Sequence, residues 1–249
     1  MAGDQRAVIL VSAEAEWQAV RDMFPGKAME SSPYGEWFLC QEEDVDLIFF
    51  HGGWGKISAA GSTQFAIDRW YPDILINFGT CGGFAGKVDQ NTIVLADRTI
   101  VYDIYEQMGD LESHIAWYTT DLDLSWLGEP LPLPVKKSLL VSGDRDLHPQ
   151  EISTLAQQYN AVAGDWESGA IAYVAARNKI RCLILRGVSD LVGEDGSDAY
   201  GDLGFFAEAA RLIMASLVNS LPGWLQCAGL LAPKLSDSGD VSPQALDEK

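Results

Sequence analysis

Polar side chains gather with glycine at three places where apolar runs end. In Ile76-Asn77-Phe78-Gly79-Thr80-Cys81-Gly82-Gly83, an apolar run over 74–78 leads into Gly79, Gly82 and Gly83, with the Thr80 hydroxyl among them. The segment reads as a turn at the carboxyl end of a strand, where an open α/β sheet binds its ligands. Glycine lets the backbone approach a polar ligand, and successive amides can point at one oxygen. A plain tight turn is the competing reading. Asp190 follows the apolar run 183–185 through Arg186-Gly187-Val188-Ser189, so it is expected to emerge where a strand ends. Ser189 beside it could orient the carboxyl group; a cap or turn aspartate is the alternative. Glu14 and Glu16 follow the first apolar run. Two residues apart, they face different sides of any helix begun there, so only one is expected to look into a pocket. Both also suit a first helical turn, where the dipole favours acids. Glu167 precedes another helical pattern, with the alternative of an exposed acid. Carboxyl groups of this kind, brought to one place, are the material of general acid and base catalysis.

Positioning them requires elements that bring distant segments together. Short apolar runs at 8–11, 38–41, 47–51, 74–78, 92–95, 138–141, 161–163 and 182–185 are expected strands. Apolar residues at three- and four-residue spacing predict helices over 16–23, 58–70, 149–159, 169–178 and 205–221. Such alternation implies crossover connections and one α/β domain, a largely parallel, twisted mixed sheet flanked by helices. Pro149 suits a first helical turn. The stretch 97–135, with Pro130, Pro132 and Pro134, reads as a long loop region. Residues 1–231 are expected to form the domain and 232–249 a flexible polar tail.

Bulk properties narrow the function. A chain of 249 residues suits one large domain. The formal charge of −19 disfavours nucleic acid or an anionic membrane as a partner, while a small neutral ligand is indifferent to that field. The four cysteines show no metal-binding or disulfide spacing. No apolar run approaches the length that spans a bilayer, and the N-terminus lacks the pattern of a secretory signal. A soluble cytoplasmic protein is the expectation.

Five segments carry a more specific signal. Ser12-Ala13-Glu14-Ala15-Glu16 follows the first strand, and Gly52-Gly53-Trp54-Gly55-Lys56 precedes a helix. With the Thr80 segment come Asp165-Trp166-Glu167-Ser168-Gly169-Ala170 and Arg186-Gly187-Val188-Ser189-Asp190. Together, over roughly 7–221, they resemble the nucleoside phosphorylase and nucleosidase superfamily, most closely the 5′-methylthioadenosine/S-adenosylhomocysteine nucleosidases. The resemblance implies cleavage of an N-glycosidic bond without metal or organic cofactor. The departing base takes a proton and the oxocarbenium-like sugar meets a nucleophile, a division of labour that parallels the two-carboxylate glycosidases. It implies that Asp190 protonates the purine, Glu16 activates water and Glu167 accepts hydrogen bonds from the ribose hydroxyls. Trp166 would stand against the sugar face, with Thr80 and Gly82 near the nucleophile. It implies a homodimer in which a neighbouring loop closes the 5′ pocket.

The chain departs from that pattern in instructive places. The related phosphorylases carry arginines near the phosphate where this chain has Asn77 and the glutamates of its first loop, which argues for water as the nucleophile. In Ser142-Gly143-Asp144-Arg145-Asp146-Leu147-His148, Asp146 falls where an aromatic residue stacks on adenine, so Arg145, Asp146 and His148 could read another base. Trp54 replaces a smaller residue beside the 5′ substituent. A phosphorylase with a phosphate site of another kind, a futalosine-type hydrolase and a binding module without turnover remain as rivals.

Overall fold

In the computed structural model of the chain, residues 5–197 and 199–232 are described; all but the first residue of the expected tail at 232–249 lies outside them. β1 (Gln5–Val11) leads into α1 (Glu14–Met23). There follow β2 (Glu30–Ser31), β3 (Glu36–Glu42), β4 (Val45–His51), α2 (Lys56–Trp70), β5 (Ile74–Phe84) and β6 (Ile93–Val101). α3 (Leu111–Trp117) and β7 (Thr119–Asp121) precede β8 (Lys136–Ser142), α4 (Pro149–Tyr159) and β9 (Ala163–Asp165). The chain closes with α5 (Ser168–Asn178), β10 (Arg181–Gly193), β11 (Gly196–Ser197) and α6 (Leu203–Cys227).

Alternation along the strands decides which helix covers which face. Ile9, Phe49, Ile76 and Leu183 share a buried cluster with Trp17 and Val20 of α1 and with Met214 and Leu217 of α6. Their neighbours Leu10, Phe50, Leu75 and Ile184 pack instead with Ile67 of α2 and Ile171 of α5. Helices therefore flank both faces of a mixed sheet, the α/β architecture that the sequence implies. A third cluster sets Ile152 and Leu155 of α4 against Phe84, Val141 and Val192.

The sheet is 11-stranded. β1 runs parallel to β4 and β5, and β5 runs parallel to β10 along its whole length. Beyond β5 the sheet closes on itself. β10 pairs with β5 and β6, β6 with β8, β8 with β9, and β9 returns to β5. This ring gathers the segments that carry Thr80, Asp165 and Asp190.

Four sequence expectations are corrected. Residues 79–83 make no turn, because β5 continues through them to Phe84, paired with β10 and β9. Their glycines serve close approach within a strand. A Cβ at Gly79 would stand 2.2 Å from Arg186 Nη1 and 3.0 Å from Glu16 Oε1. Asp190 likewise lies within β10, which runs on to Gly193, and the register slips between Val188 and Asp190. Such a bulge re-aims side chains, as is common beside active sites. The stretch 97–135 holds the end of β6, α3 and β7, elements too short for periodicity to show. Finally, α6 passes its expected end at Leu221 and runs through Pro222, with the buried Trp224 and Leu225 holding the last turn on the core.

Candidate active site

A cavity of about 430 Å³ opens beside the later residues of β5 and β10 and the segments that follow β1 and β9. That is a volume suited to a small organic ligand. Glu16, Thr80, Gly82, Trp166 and Glu167 line it, and so do Trp54, Asp146, Leu147, Ser189 and Asp190. All the expected site residues therefore share one space. Arg145 also lines it, whereas His148, exposed at the start of α4, does not.

Glu16 comes from the first turn of α1 and is 1% exposed. Its Oε2 accepts from the Ala13 amide at 3.1 Å, reaching back to the helix start as an acid in the third helical position can. Its Oε1 accepts from the Thr80 amide at 2.6 Å and from Thr80 Oγ1 at 2.7 Å. The carboxylate is thus both a helix cap and a wall of the cavity. Glu14 points to solvent with its side chain 77% exposed, so the two acids do diverge.

Behind Glu16 and Thr80 lies Arg186, buried inside β10. Its Nε is 2.9 Å from Asp165 Oδ2, its Nη2 donates to Glu167 Oε2 at 3.3 Å, and its Nη1 donates to the Thr80 carbonyl at 3.3 Å. A buried guanidinium is stable only when paired and hydrogen-bonded, and here each of its three nitrogens has a partner. Asp165 is held in turn by Ser142 Oγ at 2.6 Å, the Ser168 amide at 3.1 Å and the Ser168 hydroxyl. Glu167 Oε1 accepts from the Gly55 amide at 2.9 Å. Burial pushes the Glu167 carboxyl up to about 7; Arg186 opposes that rise, while Asp165 and Glu16 add to it.

At Asp190 the partners are hydroxyls. Ser189 Oγ lies 2.6 Å from Oδ1 and 3.2 Å from the Cys81 carbonyl, and the Ser197 hydroxyl meets Oδ2. Each of these hydroxyls can donate or accept as it rotates. Leu147 forms a buried wall nearby; a Cβ on Gly82 would come within 3.0 Å of its Cδ1. Asn77 stays outside the cavity, its Nδ2 donating to the Leu10 carbonyl at 3.1 Å.

Trp54 is 63% exposed and meets Trp166 edge-on, with ring centroids 5.3 Å apart. The adjoining Lys56 amide donates to Asp144 Oδ1 at 2.7 Å, and its ammonium pairs with Asp103. These contacts fix the start of α2, and with it the Gly55 amide on Glu167.

Sequence reasoning gave Arg186 no role, although an arginine between buried apolar residues signals a paired charge. Ser197 and Tyr200, on the connection between β10 and α6, carried no signal at all. Their proximity to Asp190 depends on how that connection folds back.

Comparison with known proteins gives the family and the fold. A family model described as the phosphorylase superfamily matches residues 6–221. A curated 5′-methylthioadenosine/S-adenosylhomocysteine nucleosidase from Maridesulfovibrio salexigens is 31% identical over 190 residues, covering 70% of this chain and 81% of that protein. The fold is shared with the apo 5′-methylthioadenosine nucleosidase of Arabidopsis thaliana (TM-score 0.73, 23% identity, 88% of this chain and 95% of that one). It is shared equally with a futalosine hydrolase mutant of Helicobacter pylori (TM-score 0.74, 17% identity, 88% and 99%).

Proposed function

The chain belongs to the phosphorylase superfamily, and from that premise we infer that it is a nucleosidase, hydrolysing the N-glycosidic bond of a purine-type nucleoside. 5′-Methylthioadenosine and S-adenosylhomocysteine are the leading substrates. The observation that carries this reading is the meeting of Glu16, Glu167 and Asp190 in one cavity from three separate segments of the chain. Asp190 gives a proton to the purine as the C1′–N9 bond breaks and its electron pair passes to the base. Glu16 takes a proton from water, whose oxygen bonds to C1′. Glu167, as a carboxylate, accepts from the ribose hydroxyls and favours the positively charged sugar of the transition state. Arg186 and Asp165 position Glu167, and the Glu16 contacts hold Thr80.

Water is favoured over phosphate as the nucleophile by charge. Arg145 at the cavity and Arg186 behind it are already paired, Arg186 with Asp165 and Glu167 and Arg145 with Glu151 at 2.7 Å. An inorganic phosphate beside Glu16 would meet a carboxylate with no free guanidinium to offset the repulsion. The test is incubation with 5′-methylthioadenosine or S-adenosylhomocysteine in phosphate-free buffer. Release of free base without phosphate is expected; release that demands phosphate and yields ribose 1-phosphate would overturn the reading. A futalosine-type nucleoside is the second substrate to assay, because the Trp54–Trp166 pair adds aromatic surface for a bulky 5′ group.

A homodimer in the cytoplasm belongs to the same reading. The exposed Trp54, Ile57, Tyr105 and Met108 lie on segments tied together through Lys56 and Asp103, which supports a partner subunit covering that rim. Sedimentation analysis giving a monomer at working concentration would remove the dimer.

A further inference from the structure

On the reading above, the base lies against Asp190, so the surface covering its flat face must come from the residues around that carboxyl group. The wall there includes Leu147, buried and fixed against Gly82 and Gly164. Asp146 offers a carboxylate and no apolar face. Arg145 is drawn off to Glu151 and lies 5.1 Å over the Tyr102 ring. Tyr200 remains. Its phenol donates to the Leu147 carbonyl at 2.5 Å, and it stands three residues beyond Ser197, whose hydroxyl meets Asp190. Gly196 at φ +103° and Gly201 at φ +83° bend the chain on either side of it. Burial, with Asp146 and Asp190 adding their charge, pushes the phenol above its usual range, so its hydroxyl stays a donor. The residue lines the cavity and is still 42% exposed, which leaves ring surface to receive a ligand.

We propose that Tyr200 is a base-binding residue, its ring covering one face of the purine while the Leu147 contact fixes the ring's tilt. Stacking of this kind tolerates any purine and acts on binding rather than on the chemical step.

The experiment is calorimetric titration with adenine, alongside steady-state kinetics on 5′-methylthioadenosine, for the wild type, Tyr200→Phe and Tyr200→Ala. Tyr200→Ala is expected to weaken adenine binding and raise KM about tenfold, with kcat within about twofold. Tyr200→Phe keeps the ring and loses its anchor, so a loss of about threefold is expected. Adenine affinity in Tyr200→Ala within about twofold of wild type overturns the inference. A wild-type protein that binds adenine but cleaves no nucleoside overturns the functional reading instead and leaves the binding comparison standing; one that does neither overturns both. Should Tyr200→Ala unfold early, Tyr200→Leu must still bind adenine more weakly than Tyr200→Phe, or the inference falls.

Discussion

The two ends of the cavity are built from different materials. Around Glu16 and Glu167 there is a buried guanidinium, a third carboxylate and backbone amides, all interlocked at fixed distances. Around Asp190 there are two hydroxyls, an apolar wall and a half-exposed phenol. The first end is held rigid, since each carboxylate accepts from fixed amides, hydroxyls or the guanidinium. The second end is held by hydroxyls, which can donate or accept as they rotate. The proposed hydrolysis uses that division, with a rigid set of acceptors where a cationic sugar forms and an acid where the base departs.

Asp190→Asn breaks the contrast at its second end. Turnover should fall at least about a thousandfold with little change in substrate affinity, read from kcat and from binding of the uncleaved nucleoside. Glu16→Gln acts at the first end. It should lower kcat on the order of a hundredfold, because water remains but its base is gone. Wild-type turnover in either variant would remove that residue from its role.

Arg186→Met tests the interlocking directly. It strands Asp165 and Glu167 without a counter-charge, at a cost of about 3 to 5 kcal/mol, so melting should drop on the order of 10 °C. An unchanged melting temperature would show that the carboxylates do not depend on the guanidinium.

A smaller effect follows from the raised Glu167 carboxyl. An acid raised on folding binds protons more readily in the native state. Its contribution to stability is therefore full below its ordinary value near 4.5 and is lost as pH rises through about 7. Substrate binding runs the other way, because only the carboxylate accepts from both ribose hydroxyls. KM should fall as pH rises through about 7, and Glu167→Gln should flatten that dependence. The smallest change is expected from Ser197→Ala, a few-fold loss in kcat from a less fixed Asp190. A loss as large as that of Asp190→Asn would mean that the hydroxyl does more than hold the acid.

Much of the contrast was legible in the sequence. Glu16, Glu167 and Asp190 each follow an apolar run, and the alternation of runs and helical patterns dictates that their segments converge. The strand character of Gly79 to Gly83 was hidden because glycine spacing looks the same in a turn and in a strand that must admit another side chain. Arg186 was visible as a letter but not as a partner, since Asp165 and Glu167 approach it only across strands. Ser197 and Tyr200 were illegible: no local propensity says that a connection between β10 and α6 folds back over the cavity.

The ring through β5, β10, β6, β8 and β9 has a consequence for product exit. A circuit of ladders with no loose end cannot peel open strand by strand, so the walls that carry Thr80, Asp165 and Asp190 stay in place through each cycle. Base and sugar must leave past the segments at the mouth, the Gly53–Gly55 bend and the stretch carrying Tyr200 and Gly201. Amide exchange should therefore be fast in those two doors and slow in the frame around them.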